Sequence, residues 1–341
     1  MQYRRQVIAS AAALTAAAIS DFSYASYARL EYALRRGRMA LTASDGDHLQ
    51  AETQRLYERE TLVPASVLAP EVDTHLATLS GLLALPLGDS LRRVVALCAS
   101  ETALLGGWLA LDRSDLIGTQ GFWNSSIDAA GEAGDGPALA ATLAYMSYAE
   151  SAAGNHQNAW QLLETAGDHV HSPRQAKARS WIAARQAEEA AALNEHGPAL
   201  IALERAMTVA DYIDPEVTDR PWVIFFDSAR LGSMAVSTYA QLNHPRTQDA
   251  ADAVLASLGP NHVKTRAVIL GDVANARLAA GDLDAGCALA GQALEVTVSS
   301  AASLGRARLT ALRPRLEANA DAAPVRALLP RLDAAGITVS A

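Results

Sequence analysis

The chain holds eight histidines, and the closest two, His169 and His171 beside Asp168, are where metal chemistry would first be sought. Residues two apart meet a single ion only on extended backbone, and no cysteine or further histidine completes a ligand set. Ser172-Pro173 follows directly, so the stretch reads as a solvated turn. His48, His75, His156, His196, His244 and His262 are scattered and form neither a triad pattern nor a zinc pattern. Cys98 and Cys287 lie far apart, each inside an apolar stretch, where a thiol behaves as a small core residue and fits a reducing cytoplasm. The sequence has no HExxH, no phosphate loop of Walker type, no GxGxxG and no GxSxG elbow. The expectation is therefore a non-catalytic protein with no cofactor and no resident metal.

Charge narrows the partners. The formal net charge is -9, which disfavours a surface that tracks a polyanion by itself. Arg4, Arg5, Arg29, Arg35, Arg36 and Arg38 are opposed only by Asp21 and Glu31, and they read as a solvated helix face rather than a nucleic-acid contact. Arg4-Arg5 before the alanine-rich residues 7–19 imitates an export signal, but the apolar run is too short to span a membrane. A cytoplasmic location, with no membrane partner, is expected.

The elements that would position any site are helices. Half of the 341 residues are apolar and only 5% aromatic, a composition suited to close-packed alanine-rich helices. Residues 222–226 are the one notable strand candidate. Helical periodicity runs through residues 47–62 and 67–85, with Pro64, Pro70, Pro86 and Gly88 as punctuation. Thereafter a helix, a short polar turn and a second helix recur five times, with turns centred at Ser114, Gly154, Asn194, Asn243 and Gly281. Hairpins that cannot bury an apolar face alone must stack, so one elongated body is expected. Its segments are an alanine-rich helical stretch (1–45), N-terminal helices (46–93), five repeats (94–300) and a helical cap (301–341). The bulky residues of 211–226 are expected to fold back onto the stack.

The repeats resemble the tetratricopeptide pattern, with small residues at positions 8, 20 and 27, a larger one at 24, and the reversal at 15 and 16. Gly107, Thr119, Trp123 and Ser126 carry it in the first unit, and Ser147, Ala159, Leu163 and Ala166 in the second. Ala187, Ala199, Leu203 and Ala206 carry it in the third, and Ala274, Gly281-Asp282, Gly286, Ala290 and Ala293 in the fifth. The fourth is weakest, because Gln248 and Asp252 stand where small and large apolar residues belong. The turns recur every 38 to 49 residues, more than the usual spacing of about 34, which implies longer helices or connections. An all-α, right-handed superhelix is what the resemblance implies.

From Arg220 onward, Arg220-Pro221-Trp222, Phe226-Asp227-Ser228-Ala229-Arg230-Leu231, Tyr239-Ala240-Gln241-Leu242-Asn243-His244-Pro245 and Ala280-Gly281-Asp282-Leu283 are similar to the tetratricopeptide sensor region of actinobacterial transcriptional regulators. Those regulators usually carry an N-terminal helix-turn-helix. None precedes the repeats in this sequence, so the resemblance implies a sensor region and not a DNA reader. A stand-alone sensor, a shortened regulator and a missed upstream start all stay open. In such repeats the inner-helix positions point into a concave groove, which here implies Glu101, Trp108, Tyr145, Tyr148, Trp181, Arg185, Glu188, Arg230, Met234, Asp272 and Asn275 as the lining. Flat aromatic surface and fixed charge suit a peptide, a small acidic signal or a partner protein. The rival expectation is a constitutive self-associating scaffold, a possible homodimer, joined through residues 222–226; an exported helical protein or an enzyme stands behind both.

Overall fold

The computed structural model describes residues 42–258, 263–300 and 302–338. The N-terminal arginines and the alanine-rich run lie outside the described residues. Within them the chain forms fourteen α-helices and no strand. It divides into two compact units, one of residues 42–60 with 65–145 and one of residues 61–64 with 146–338.

In the first unit α1 (Ala43–Glu60), α2 (Ala65–Leu83) and α4 (Leu116–Ala133) all pack on α3 (Asp89–Asp112). α3 is apolar on every side and almost wholly buried from Val95 to Ala110. It is long and apolar enough to cross a bilayer, yet most of it is buried inside this unit, as for a core helix. Its approach to α4 depends on glycine: a Cβ on Gly107 would stand 2.3 Å from the Trp123 ring. Pro70 does not end a helix as its type suggested. It sits inside α2, where its missing N–H forgoes only the bond to the Ser66 carbonyl near the helix start. A buried polar trio at this core joins three helices, with Thr53 Oγ1 2.9 Å from His75 Nε2 and 3.4 Å from Thr102 Oγ1.

α5 (Gly136–Ala152) belongs to the first unit through Tyr145 and to the second from Met146. The second unit continues with α6 (His156–Gly167), α7 (Ala176–Ala192), α8 (His196–Ala210), α9 (Ser228–Gln241) and α10 (Thr247–Ser257). α11 (Val263–Ala279), α12 (Leu283–Ser300), α13 (Ser303–Glu317) and α14 (Ala323–Ala334) complete it. Packing alternates. α7, α9, α11 and α13 contact one another in succession, and each also contacts the helix that follows it. An inner layer of odd-numbered helices is thus backed by their even-numbered partners.

All five expected turn centres adopt left-handed backbone: Ser114 at φ 61°, Gly154 at 79°, Asn194 at 60°, Asn243 at 52° and Gly281 at 83°. Ser114, Asn194 and Asn243 are the only non-glycine residues with positive φ among the described residues. After each, the next N–H reaches back five residues, from Asp115 to Ala110, Asn155 to Glu150, Glu195 to Ala190, His244 to Tyr239 and Asp282 to Arg277, at 2.8–3.0 Å. This bond is the helix-closing half of a Schellman motif, so all five reversals are built alike. The small residues beyond them, among them Ala159, Ala166, Ala199, Ala206 and Ala293, have no exposed surface. A side-chain bond also recurs: Ser100 Oγ donates to the Ser126 carbonyl and Ser180 Oγ to the Ala206 carbonyl, each serine fourteen residues before its turn.

The weak fourth repeat has a physical answer. α10 has only 11 residues, and its misplaced polar side chains grip α11 instead of packing. Gln248 Nε2 donates to the Ala276 carbonyl at 3.1 Å, and Arg277 bonds both Gln248 and Asp252. Residues 222–226 form no strand. A 3₁₀ turn spans Pro221–Val223, and Trp222, Val223 and Phe226 are buried within the unit, where Trp222 and Phe225 ring contacts surround Trp181. The stretch expected to join two copies is therefore spent on its own core. α13 and α14 close this end of the unit around Leu309, Leu312, Val325, Leu328 and Leu332.

Candidate functional site

α7 is buried without a break from Ser180 to Ala191, yet it carries Arg185, Glu188 and Glu189. Isolated charges are costly inside a protein, so partners must come from neighbouring helices. Arg185 Nη1 donates to Glu188 Oε2 at 2.8 Å, and Nη2 pairs with Glu189 and reaches Ser147 Oγ of α5 at 3.3 Å. The same guanidinium lies 4.1 Å from the Tyr148 ring centre. Tyr148 in turn accepts from Trp181 Nε1 at 3.3 Å, and Glu189 meets His156 Nδ1 of α6 at 2.8 Å.

The pairing continues across the inner layer. Arg308 of α13 places Nη2 3.3 Å from Glu188 Oε1 and Nε 2.6 Å from Asp272 Oδ1 of α11. The Nε–H is not aimed along that second line, so the contact is an ion pair without a well-directed hydrogen bond. On α9, Arg230 Nη1 donates to Ser233 Oγ at 3.1 Å, Ser233 donates to Asp272 Oδ2 at 2.6 Å, and Arg230 stands 3.6 Å from the same carboxylate. Three arginines thus share Glu188, Glu189 and Asp272 across α7, α9, α11 and α13. Arg230 Nη2 and Arg185 Nε are buried with no hydrogen-bond partner in the structure.

Burial and charge pull against each other here. Burial alone would raise the Glu188 carboxyl, but the guanidiniums of Arg185, Arg230 and Arg308 overcome it and hold the group below the usual range. Asp272 goes the other way: burial raises it, and the pull of Arg308 and Arg230 does not fully compensate.

The expected groove residues separate into two sets. Glu101, Trp108 and Tyr145 lie in the first unit, where Trp108 meets Tyr145 edge-on at 5.3 Å, Trp108 Nε1 reaches Glu60 at 3.3 Å, and the Glu101 carbonyl accepts from Tyr57. Tyr148, Trp181, Arg185, Glu188, Arg230 and Asp272 converge in the second unit as described. Met234 is a core residue, and Asn275, half-buried, takes a bond from Arg315 instead of joining the network. Of the eleven, nine are buried rather than open to solvent; only Trp108 and Asn275 keep partial exposure. For Glu188, Arg230 and Asp272 the reason lies in how closely α13 approaches α11. A Cβ on Gly271 would stand 2.7 Å from Arg308 Cβ, so glycine lets Arg308 lie across the inner face. Arg308, 30% exposed, is the network's most accessible cation. Sequence reasoning missed it because it falls in the segment read as a cap, and missed Ser147, Ser233, Glu189 and His156 because nothing in their spacing marks them. Elsewhere, His171 Nε2 is 2.7 Å from the Asp168 carbonyl, and among the described residues no group of three His, Cys, Asp or Glu is placed to hold a metal ion.

In comparisons with known proteins, no family model, no curated protein and no solved structure matches the chain.

Proposed function

We propose that the chain is a tetratricopeptide-like right-handed superhelix acting as a non-catalytic, cytoplasmic sensor or adaptor, linked to transcriptional regulation, whose ligand is taken up on the inner-layer helices of the second unit. The repeat reading draws support from the five identical reversals and the alternating layers. The ligand reading draws on one observation above all, the arginine–carboxylate network strung over α7, α9, α11 and α13. A helical stack needs no such charges for stability, since apolar residues of like volume often serve as well or better. Guanidiniums that neutralise their own carboxylates can exchange them for a ligand's. An acidic peptide or small carboxylate would compete with Glu188 and Asp272, enter past Arg308, and use the unpaired Arg230 Nη2.

Such a ligand moves the helices only by binding one arrangement more tightly than another. Thermal shift with succinate, glutamate and an oligo-glutamate peptide tests uptake on the wild-type chain and on Arg308→Ala. Saturable stabilisation of the wild type that Arg308→Ala weakens is expected. If no probe stabilises the protein, or the variant responds equally, the reading fails. A solution-scattering profile unchanged at saturation would remove its conformational part.

A further inference from the structure

We propose that a second copy of this chain covers an outer cleft of the second unit, in a two-fold dimer where the α8 wall of each copy faces the α6 wall of the other. The cleft, about 780 Å³, is lined by α6, α7 and α8 and includes none of the network's ion-paired residues. Each helix gives it one face. α6 contributes Trp160 and Glu164, with Asp168 at its C-cap; α7 contributes Arg179 and Ile182; α8 contributes Ile201, Arg205 and Val209. The three- and four-residue steps make a trough along the helices, with Ile182 and Ala183 of α7 beneath it.

Two observations select the occupant. First, Ile201 lines the trough and yet has 69% of its surface exposed, an apolar side chain left for a partner to cover. Second, the walls carry opposite, unneutralised charge. The carboxylates stand on α6 (Glu164) and at its C-cap (Asp168), and neither side chain has an ion pair; the guanidiniums stand on α7 and α8, where Arg179 has no hydrogen bond or ion pair and Arg205 bonds only the Gln186 amide oxygen. A simple anion or cation would satisfy one wall and be repelled by the other. A second copy related by an axis running along the trough satisfies both, because that rotation exchanges the walls. It sets α8 of each copy, with Arg205, against the other's α6 wall, with Glu164 and the adjoining Asp168, and brings the exposed Ile201 into the contact. The surface is self-complementary, as an isologous contact requires.

Analytical ultracentrifugation of the full chain, from about 1 to about 100 μM, reads the association directly. A mass rising from 35.8 kDa toward twice that value is expected. Ile201→Asp should weaken dimerisation about tenfold or more, and Glu164→Arg should weaken it less. Glu164→Arg combined with Arg205→Glu should restore what the single reversal loses. These three residues are exposed, so the fold is expected to persist, and circular dichroism verifies it. A monomer at every concentration overturns the proposal, as does a dimer indifferent to Ile201→Asp. A double variant no tighter than the single one overturns the facing of the walls.

Discussion

A histidine that packs between three helices has little room for a proton. Burial lowers the His75 pKa from 6.5 to about 4, the neighbouring Glu52 opposing and Arg55 reinforcing the shift, while Thr53 bonds the ring in place. Because the folded value lies below the unfolded one, the stabilisation is complete above pH 6.5 and is lost as pH falls toward 4. The shift corresponds to about 3 kcal/mol. Urea titrations of the first unit's signals at pH 7 and pH 4 should differ by that order, and His75→Leu should flatten the difference. The arginine network sits at the other extreme. Removing Arg185 would leave buried Glu188 only Arg308 and buried Glu189 only His156, at a cost of about 3–5 kcal/mol, which is why Arg308 at the rim is the informative residue to change.

Helix reversals are the element-scale signature. Ser114, Asn194 and Asn243 hold a backbone region that costs most L-residues about 1–2 kcal/mol, whereas Gly154 and Gly281 hold it at no steric cost. Asn194→Gly should therefore stabilise slightly and Gly154→Ala should destabilise by about 1 kcal/mol, read from denaturation midpoints. These turns were fully legible in the sequence, because Gly, Asn and Ser at polar breaks between apolar runs have few other uses. So was the fold-back of residues 221–226, since Trp222 and Phe226 could not stay in water, whereas Tyr212 earlier in the same connection remains exposed. The charged site was legible only in part. Arg185, Glu188, Arg230 and Asp272 emerged from repeat register, but register states which way a position points and not whether the neighbouring helix leaves it open. That depends on Gly271, whose missing side chain lets Arg308 approach, and on a contact 120 residues apart in sequence. The same limit applied to Pro70, whose type signals a break while its place near a helix start removes the penalty.

At the scale of the whole chain, packing is organised in two compact units. The first centres on α3 and the second on the inner layer from α7 to α13. Local stability need not be uniform across such a chain. Gly107→Ala forces a Cβ into the Trp123 ring, an overpacking that should cost about 1–3 kcal/mol. Native-state hydrogen exchange should register that loss in amides of α3 and α4 and leave α11 and α12 unchanged. Uniform loss across all of them would mean that the units unfold as one.

Trp181 gives the inner layer an optical consequence. Its indole has no exposed surface, it donates to Tyr148, and Trp222 and Phe225 flank it. Tyr148 is also the ring against which Arg185 rests. A disturbance of the central guanidinium is thus relayed through one phenol to a fluorophore held in the dry interior, so the emission of Trp181, with the other four tryptophans replaced by phenylalanine, would report the state of the charge cluster without any added label.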